Sequence, residues 1–239
     1  MSLFMLLVKS SIMQVKRVAT NTPLDTILEG GIECGVITNL YGPPGSGKSN
    51  ICISTILQAV GKILYIDTEG SFSLDRFKQM GGDETFLNNI IFMDIHDWKS
   101  QYDHALKIDK IIQKERIGLI VIDSLVALYR LELDVSDKDV ASRTNRQLAT
   151  IYSIFSRISR ERNIPVLVTN QVYGSGDDIE PTSKAIARYW SKCLVELKAL
   201  NKENCRRAIV RKHRSIAEGK TIDFEITQNG MKEMKGFFR

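Results

Sequence analysis

The run Val36–Ser49, VITNLYGPPGSGKS, constrains the fold more than any other feature of the chain. A β-rich apolar stretch enters a glycine loop, and the loop opens at once into a helical pattern, so a strand, a tight turn and a helix N-terminus must follow one another. Gly42-Pro43-Pro44-Gly45-Ser46-Gly47-Lys48-Ser49 matches the spacing G-x-x-x-x-G-K-[ST]. Glycines let such a loop curl until successive backbone N–H groups face phosphate oxygens, and the helix dipole adds positive potential there. Lys48 is expected to reach the β- and γ-phosphates of ATP, Ser49 to place its hydroxyl on Mg²⁺, and Asn50 to complete the nucleotide-binding set. The competing reading, a Gly/Pro turn capped by Ser49, leaves the match at all the motif's fixed positions unexplained.

Around this unit, apolar β-rich runs alternate with segments of helical periodicity, the pattern of a mostly parallel twisted sheet covered on both faces. Strands are expected at 36–42, 62–68, 89–95, 118–124 and 165–171, and helices at 48–60, 74–80, 99–116 and 142–163. After Trp190 three strand-like runs follow without helices between them, which predicts a C-terminal β-meander. The fold class expected is therefore α/β. The length of 239 residues suits a single domain over 15–239 preceded by a segment, 1–14, that is either flexible or a docking peptide. With 43% hydrophobic and 26% charged residues, a largely disordered chain is excluded. The opening apolar stretch is too short to span a bilayer, so no membrane association and a cytoplasmic location are expected. Cys34, Cys52, Cys193 and Cys205 lack CxxC or metal-ligand spacing and are expected to be buried thiols. Two connections, 129–143 and 172–188, look like long loops after strand ends, the sheet edge where open α/β folds place ligands.

Three further strand ends carry chemistry. GLIVIDS ends in Asp123, a carboxylate suited to hold Mg²⁺ through water. LYIDTEG puts Asp67 and Glu69 past another strand. Glu69 is the better candidate to deprotonate an attacking water, since Gly70 breaks the strand behind it, whereas Asp67 serves equally well as a turn cap. VLVTNQ ends in Asn170 and Gln171, amides able to sense a γ-phosphate.

Taken in order, GGIECGVITNLYGPPGSGKSN, LYIDTEGSFSLDRF, LIVIDSLVALYR and NIPVLVTNQV resemble the ATPase core of RecA-like strand-exchange recombinases, most closely their archaeal RadA/RadB branch. The resemblance covers about residues 15–231, and the lack of room for an amino-terminal helical DNA-binding domain points to the shorter RadB side. It implies Glu69 as catalytic glutamate, Gln171 as γ-phosphate sensor, Asp123 as the metal-proximal aspartate and Arg76 against the adenine ring. It also implies that 129–143 and 172–188 are DNA-binding loops. The second loop departs from that pattern, because Asp177, Asp178 and Glu180 repel phosphates.

The net charge of +5 permits a polyanionic partner, and the basic residues are unevenly placed. On the helix over 142–163, Arg143, Arg146, Arg157 and Arg160 fall in one arc at about 100° per residue, opposite Leu148, Ile151, Tyr152, Phe155 and Ile158. From Lys198 to Lys220 there are eight Lys or Arg against two Glu. Arg130, Arg143, Arg146, Lys184, Arg188, Arg206, Arg211, Lys212 and Arg214 are the candidates for contact with DNA or for reaching across a subunit interface. Lys212 and Arg214, on one strand face, could serve as a trans-acting finger, contact DNA or be merely solvated. The expected function is an ATP- and DNA-binding accessory of homologous recombination and repair with weak hydrolysis. Its expected partners are single-stranded DNA, a principal RadA-type recombinase and other recombination proteins, with homo-oligomers open. The alternatives are a non-hydrolysing ATP-switched adaptor and a KaiC-like regulatory ATPase without DNA.

Overall fold

The structure, a computed structural model, describes residues 15–173 and 180–234. Its centre is a nine-stranded sheet in the order β13-β12-β11-β10-β3-β7-β6-β4-β5. The strands are β3 (Ile37–Tyr41), β4 (Lys62–Asp67), β5 (Ile90–Asp94), β6 (Ile117–Asp123), β7 (Val166–Asn170), β10 (Cys193–Ala199), β11 (Cys205–Lys212), β12 (Thr221–Thr227) and β13 (Gly230–Glu233). From β10 to β5 neighbouring strands run parallel, and from β10 to β13 they run antiparallel. Both the parallel sheet and the C-terminal meander expected from the sequence are present. Two short pairs flank this sheet: β1 (Arg17–Val18) with β2 (Ile32–Glu33), and β8 (Val172–Tyr173) with β9 (Glu180–Pro181).

The central strands are buried on both faces, so alternate residues feed two cores. Leu64, Ile66, Ile120, Ile122, Val166 and Val168 pack under α5 (Trp98–Ile112), α6 (Ala127–Glu132), α7 (Lys138–Arg162) and α8 (Lys184–Trp190). Ile63, Tyr65, Leu119, Val121 and Leu167 face the opposite way, toward α1 (Leu24–Ile27) and α2 (Lys48–Ile56). Each such side chain contributes about 1.5–3 kcal/mol when fully buried. The core face of α7 carries Leu148, Ile151, Tyr152, Phe155 and Ile158, as its periodicity predicts. Two shorter helices, α3 (Leu74–Gln79) and α4 (Glu84–Leu87), link β4 to β5. Cys34, Cys52, Cys193 and Cys205 are buried free thiols. Among the described residues no helix is long and apolar enough to cross a membrane.

The two expected long loops need correction. Residues 129–143 are mostly helical: α6 runs through Glu132 and α7 begins at Lys138, leaving only 133–137 between them. The cause is a cap, since the Asp137 side chain accepts the N–H groups of Asp139 and Val140 and starts α7 four residues before the expected 142. The span 172–188 holds the β8–β9 pair and the first turns of α8; residues 174–179, with Asp177 and Asp178, lie outside the described residues. The helix expected over 48–60 ends at Ile56, short of Gly61, whose φ of +100° turns the chain into β4.

Candidate nucleotide-binding site

Strand register assembles the site. Tyr41 pairs with Asn170 across β3 and β7, and Asp67 with Asp123 across β4 and β6, so the glycine loop, Gln171, Asp123 and Glu69 emerge from one sheet edge. Gly47 sits at the N-cap of α2 with φ of +99°, in the left-handed region that favours glycine. A Cβ there would press within 3.3 Å of Ile226 Cδ1, and one on Gly42 would strike the Leu197 carbonyl at 2.3 Å. The meander thus packs against the back of the loop and demands glycine at both points. No side chain caps α2, which leaves its first N–H groups directed at a ligand position.

Lys48 lies in the first turn of α2, and its Nζ donates to the carbonyls of Gly42 at 2.8 Å and Pro43 at 3.0 Å. Burial pushes its ammonium below the usual range, while Asp123 and Glu69 pull it back up, which places both carboxylates within electrostatic reach. Asp123 is fixed by three hydroxyls: Thr169 Oγ1 donates at 2.5 Å, Ser71 Oγ at 2.8 Å and Tyr65 Oη at 3.2 Å. Asp67 takes the alternative role left open by the sequence, since its oxygens accept the N–H groups of Glu69, Ser71 and Phe72 and cap the turn. Glu69 is exposed on that turn, where Gln171 Nε2 donates to its Oε1. Arg130 Nη1 in turn donates to Gln171 Oε1. Arg76 Nε donates to Asn50 Oδ1 at 2.8 Å, and its Nη1 reaches the Gln228 carbonyl at 2.6 Å, so it ties α3 to α2 and to the β12–β13 turn.

The donor set fits ATP with Mg²⁺: an uncapped helix N-terminus, a lysine facing two carboxylates, Ser49 half-buried beside it, and a buried Ser46 Oγ without a protein partner. The hydroxyl clamp on Asp123 was missed from sequence, although Tyr65 and Thr169 stand on strands adjacent to β6 near Asp123's level. Arg206 was assigned to DNA or an interface, but its Nε donates to the Gly45 carbonyl at 2.9 Å.

Several of the other basic residues are engaged by partners within the fold. Arg207 is held by Asp223 at 2.6 Å, Arg211 by the buried Glu196 at 2.5 Å and Lys220 by Glu29 at 3.1 Å. Lys212 Nζ donates to the carbonyls of Arg188 and Ser191. Arg214 pairs with buried Glu33 at 2.6 Å. The shared strand face expected for Lys212 and Arg214 is corrected, because β11 ends at Lys212 and the chain turns at His213. On α7, Arg157 pairs with Asp109 at 2.5 Å and Arg143 stands 4.0 Å from Glu132, whereas Arg146 is exposed. Lys184 opens α8 and is exposed.

A mostly parallel sheet with a strand–glycine loop–helix unit inside it and an antiparallel meander on one edge defines the RecA-like class of α/β proteins. The chain belongs to the Rad51 family, whose profile matches residues 9–233, and within it groups with RadB. It is 41% identical over 213 residues to the DNA repair and recombination protein RadB of Methanococcus maripaludis (strain C7), covering 87% of this chain and 96% of that protein. It is 36% identical over 227 residues to RadB of Methanobrevibacter smithii, covering 90% and 95% of the two chains. A solved structure described as the crystal structure of the RadB recombinase superposes with a TM-score of 0.77 at 31% identity, over 91% of this chain and all of the other.

Proposed function

We propose that this protein binds ATP with Mg²⁺ and DNA, and assists a principal RadA-type recombinase in homologous recombination and repair while hydrolysing ATP weakly. The observation that carries the reading is the convergence of Lys48, Asp123, Glu69 and Gln171 on one sheet edge around an uncapped helix N-terminus. The names of the RadB relatives, DNA repair and recombination proteins, support the process. Lys48 would hold the β- and γ-phosphates, Ser49 and Asp123 would hold Mg²⁺, and the ion would neutralise charge on the phosphates. Glu69 would accept the proton of the attacking water, and Gln171 would contact the γ-phosphate.

The test is ATPase rate with and without single-stranded DNA, together with DNA binding by the same preparation and a Lys48→Ala control. Binding of ATP that vanishes in Lys48→Ala, with DNA-stimulated turnover, supports the reading. Unchanged ATP affinity in Lys48→Ala overturns the site assignment, and tight ATP binding without turnover favours an ATP-switched adaptor.

A further inference from the structure

A second concavity lies at the opposite edge of the parallel sheet from the glycine loop. Its volume is about 530 Å³, the size of a small-molecule site, and it is bounded by β1, the start of β6, the approach to β7 and the turn that leads into β4. The seven residues of β6, Ile117–Asp123, separate it from the nucleotide site by about 20 Å at the usual rise of a strand.

Four cations, Lys16, Arg17, Arg116 and Arg162, line this cavity against a single acid, Glu115. The fold does not use them up. Among the described residues Lys16 and Arg116 have no ion-pair partner, and both are exposed. Arg162 gives one N–H to the Ile112 carbonyl at 3.1 Å, which caps the end of α5, and keeps other donors free. Arg17 donates through Nη2 to Glu33 at 3.2 Å, but Arg214 holds Glu33 more closely at 2.6 Å, and Arg17 Nε is buried without a partner. A buried guanidinium N–H that lacks an acceptor carries a desolvation cost, and a bound anion removes it.

The wall that carries Arg116 is fixed by two glycines. A Cβ on Gly118 would stand 1.9 Å from the Val60 carbonyl, and one on Gly61 would stand 2.7 Å from the Arg116 carbonyl, so the turns before β4 and β6 pack backbone to backbone. Carbonyls at this edge that would repel an anion are occupied: that of Arg116 accepts Lys62 N–H at 2.9 Å, and that of Ile164 accepts Gly35 N–H at 3.1 Å. Beside the cations stands Val60, an apolar side chain that is 82% exposed. Convergent charge next to an apolar face suits a ligand that joins a phosphate to a ring, whereas an inorganic ion leaves Val60 uncovered.

We propose that this cavity is a second ligand site, which takes a nucleoside phosphate with its phosphate among Lys16, Arg17, Arg116 and Arg162 and its base over Val60. A free mononucleotide and the 5′-phosphate end of a strand share this chemistry. The inference is independent of the ATP reading, because no residue of the glycine-loop site lines the cavity.

The experiment is calorimetric titration with AMP of Lys48→Ala, in which the glycine loop has lost its lysine, and of the same chain carrying Arg116→Glu or Arg162→Gln. Lys48→Ala is expected to keep one AMP site, and either added substitution to weaken it by about tenfold or more. Arg116 has no partner within the fold, so its reversal is expected to leave the melting temperature of Lys48→Ala unchanged. An oligothymidylate with and without a 5′-phosphate separates the two sources. Tighter binding of the phosphorylated strand, lost in Arg116→Glu, assigns the strand end, while AMP binding with no such preference assigns the free mononucleotide. Absence of both AMP binding and the 5′-phosphate preference overturns the site, as does binding that Arg116→Glu and Arg162→Gln leave unchanged. ATP binding that survives in Lys48→Ala removes the ATP reading alone, since the response of AMP to Arg116→Glu still decides this one.

Discussion

Arg206 on β11 donates through Nε to the carbonyl of Gly45 at 2.9 Å, so the C-terminal meander grips the middle of the phosphate loop. Gly45 has φ of +72° and nothing within 4 Å of where a Cβ would stand, leaving this contact to steady it from outside. A partly exposed bond from a charged donor contributes about 1 kcal/mol, or about fivefold in an equilibrium constant. Arg206→Ala is expected to weaken ATP binding by about that factor in nucleotide titrations, with little change in thermal stability. An unaltered affinity removes Arg206 from the nucleotide site.

Lys48 is held in a partly buried position where its charge is disfavoured, chiefly by desolvation. The sign follows from the direction of the shift. Below the lowered folded-state pKa both folded and unfolded chains carry the proton, and the folded chain bears a constant cost. That cost fades only as pH rises from the folded value to the unfolded 10.5. Lys48→Met, which keeps the aliphatic bulk, is therefore expected to abolish ATP binding at neutral pH while leaving the melting temperature equal to or above that of the wild type. A lower melting temperature means the contacts of Nζ with the Gly42 and Pro43 carbonyls outweigh the desolvation.

Much of the site was legible because period-two strands and the phosphate loop obey local rules. GLIVIDS, LYIDTEG and VLVTNQ each announce a buried strand that ends in a polar residue, and parallel register then carries the ends to one edge. Local rules failed where a distant partner decides. The basic run from Lys198 to Lys220 suggested a polyanion surface, but Glu196, Asp223, Glu29 and Glu33 come from elsewhere in the fold to neutralise most of it. The 129–143 loop was misjudged because Asp137 looks like one more loop acid until its side chain is seen capping α7.

Glu196 illustrates what such neutralisation means for stability. Its side chain is 2% exposed on β10, with Arg211 Nε at 2.5 Å and Lys198 Nζ at 3.4 Å. Removing Arg211 takes the 2.5 Å partner from a buried carboxylate that keeps Lys198 at 3.4 Å, and the Arg211 side chain is 39% exposed, so water screens the pair. Arg211→Ala is expected to cost about 1–2 kcal/mol in urea unfolding, below the value of a fully buried pair. Adding Glu196→Gln should recover part of it, a coupling that a double-mutant cycle reads directly. Additive losses would mean that Arg211 stabilises β11 through its stem.

His213 is the group that should give the unfolding curve its slope just below neutrality. Its side chain is 1% exposed, and its Nδ1 accepts the N–H groups of Ser215 and Ile216 at 3.2 Å, which leaves the proton of the neutral ring on Nε2, 3.9 Å from Glu33. Burial lowers its pKa; Glu33 opposes the shift, and Arg17 and Arg214 reinforce it. The folded chain thus keeps His213 neutral at pH values where the unfolded chain has already taken up a proton. As pH falls from 6.5 toward the lowered folded value the unfolded state binds more protons, and stability declines across that window. His213→Asn retains an oxygen able to accept the same N–H groups but does not titrate. Urea unfolding from about pH 7.5 down to about pH 5 should show the wild type losing stability faster than the variant. Parallel curves for the two proteins would show that His213 contributes nothing to the acid slope, and that its Nδ1 contacts matter only for the turn after β11.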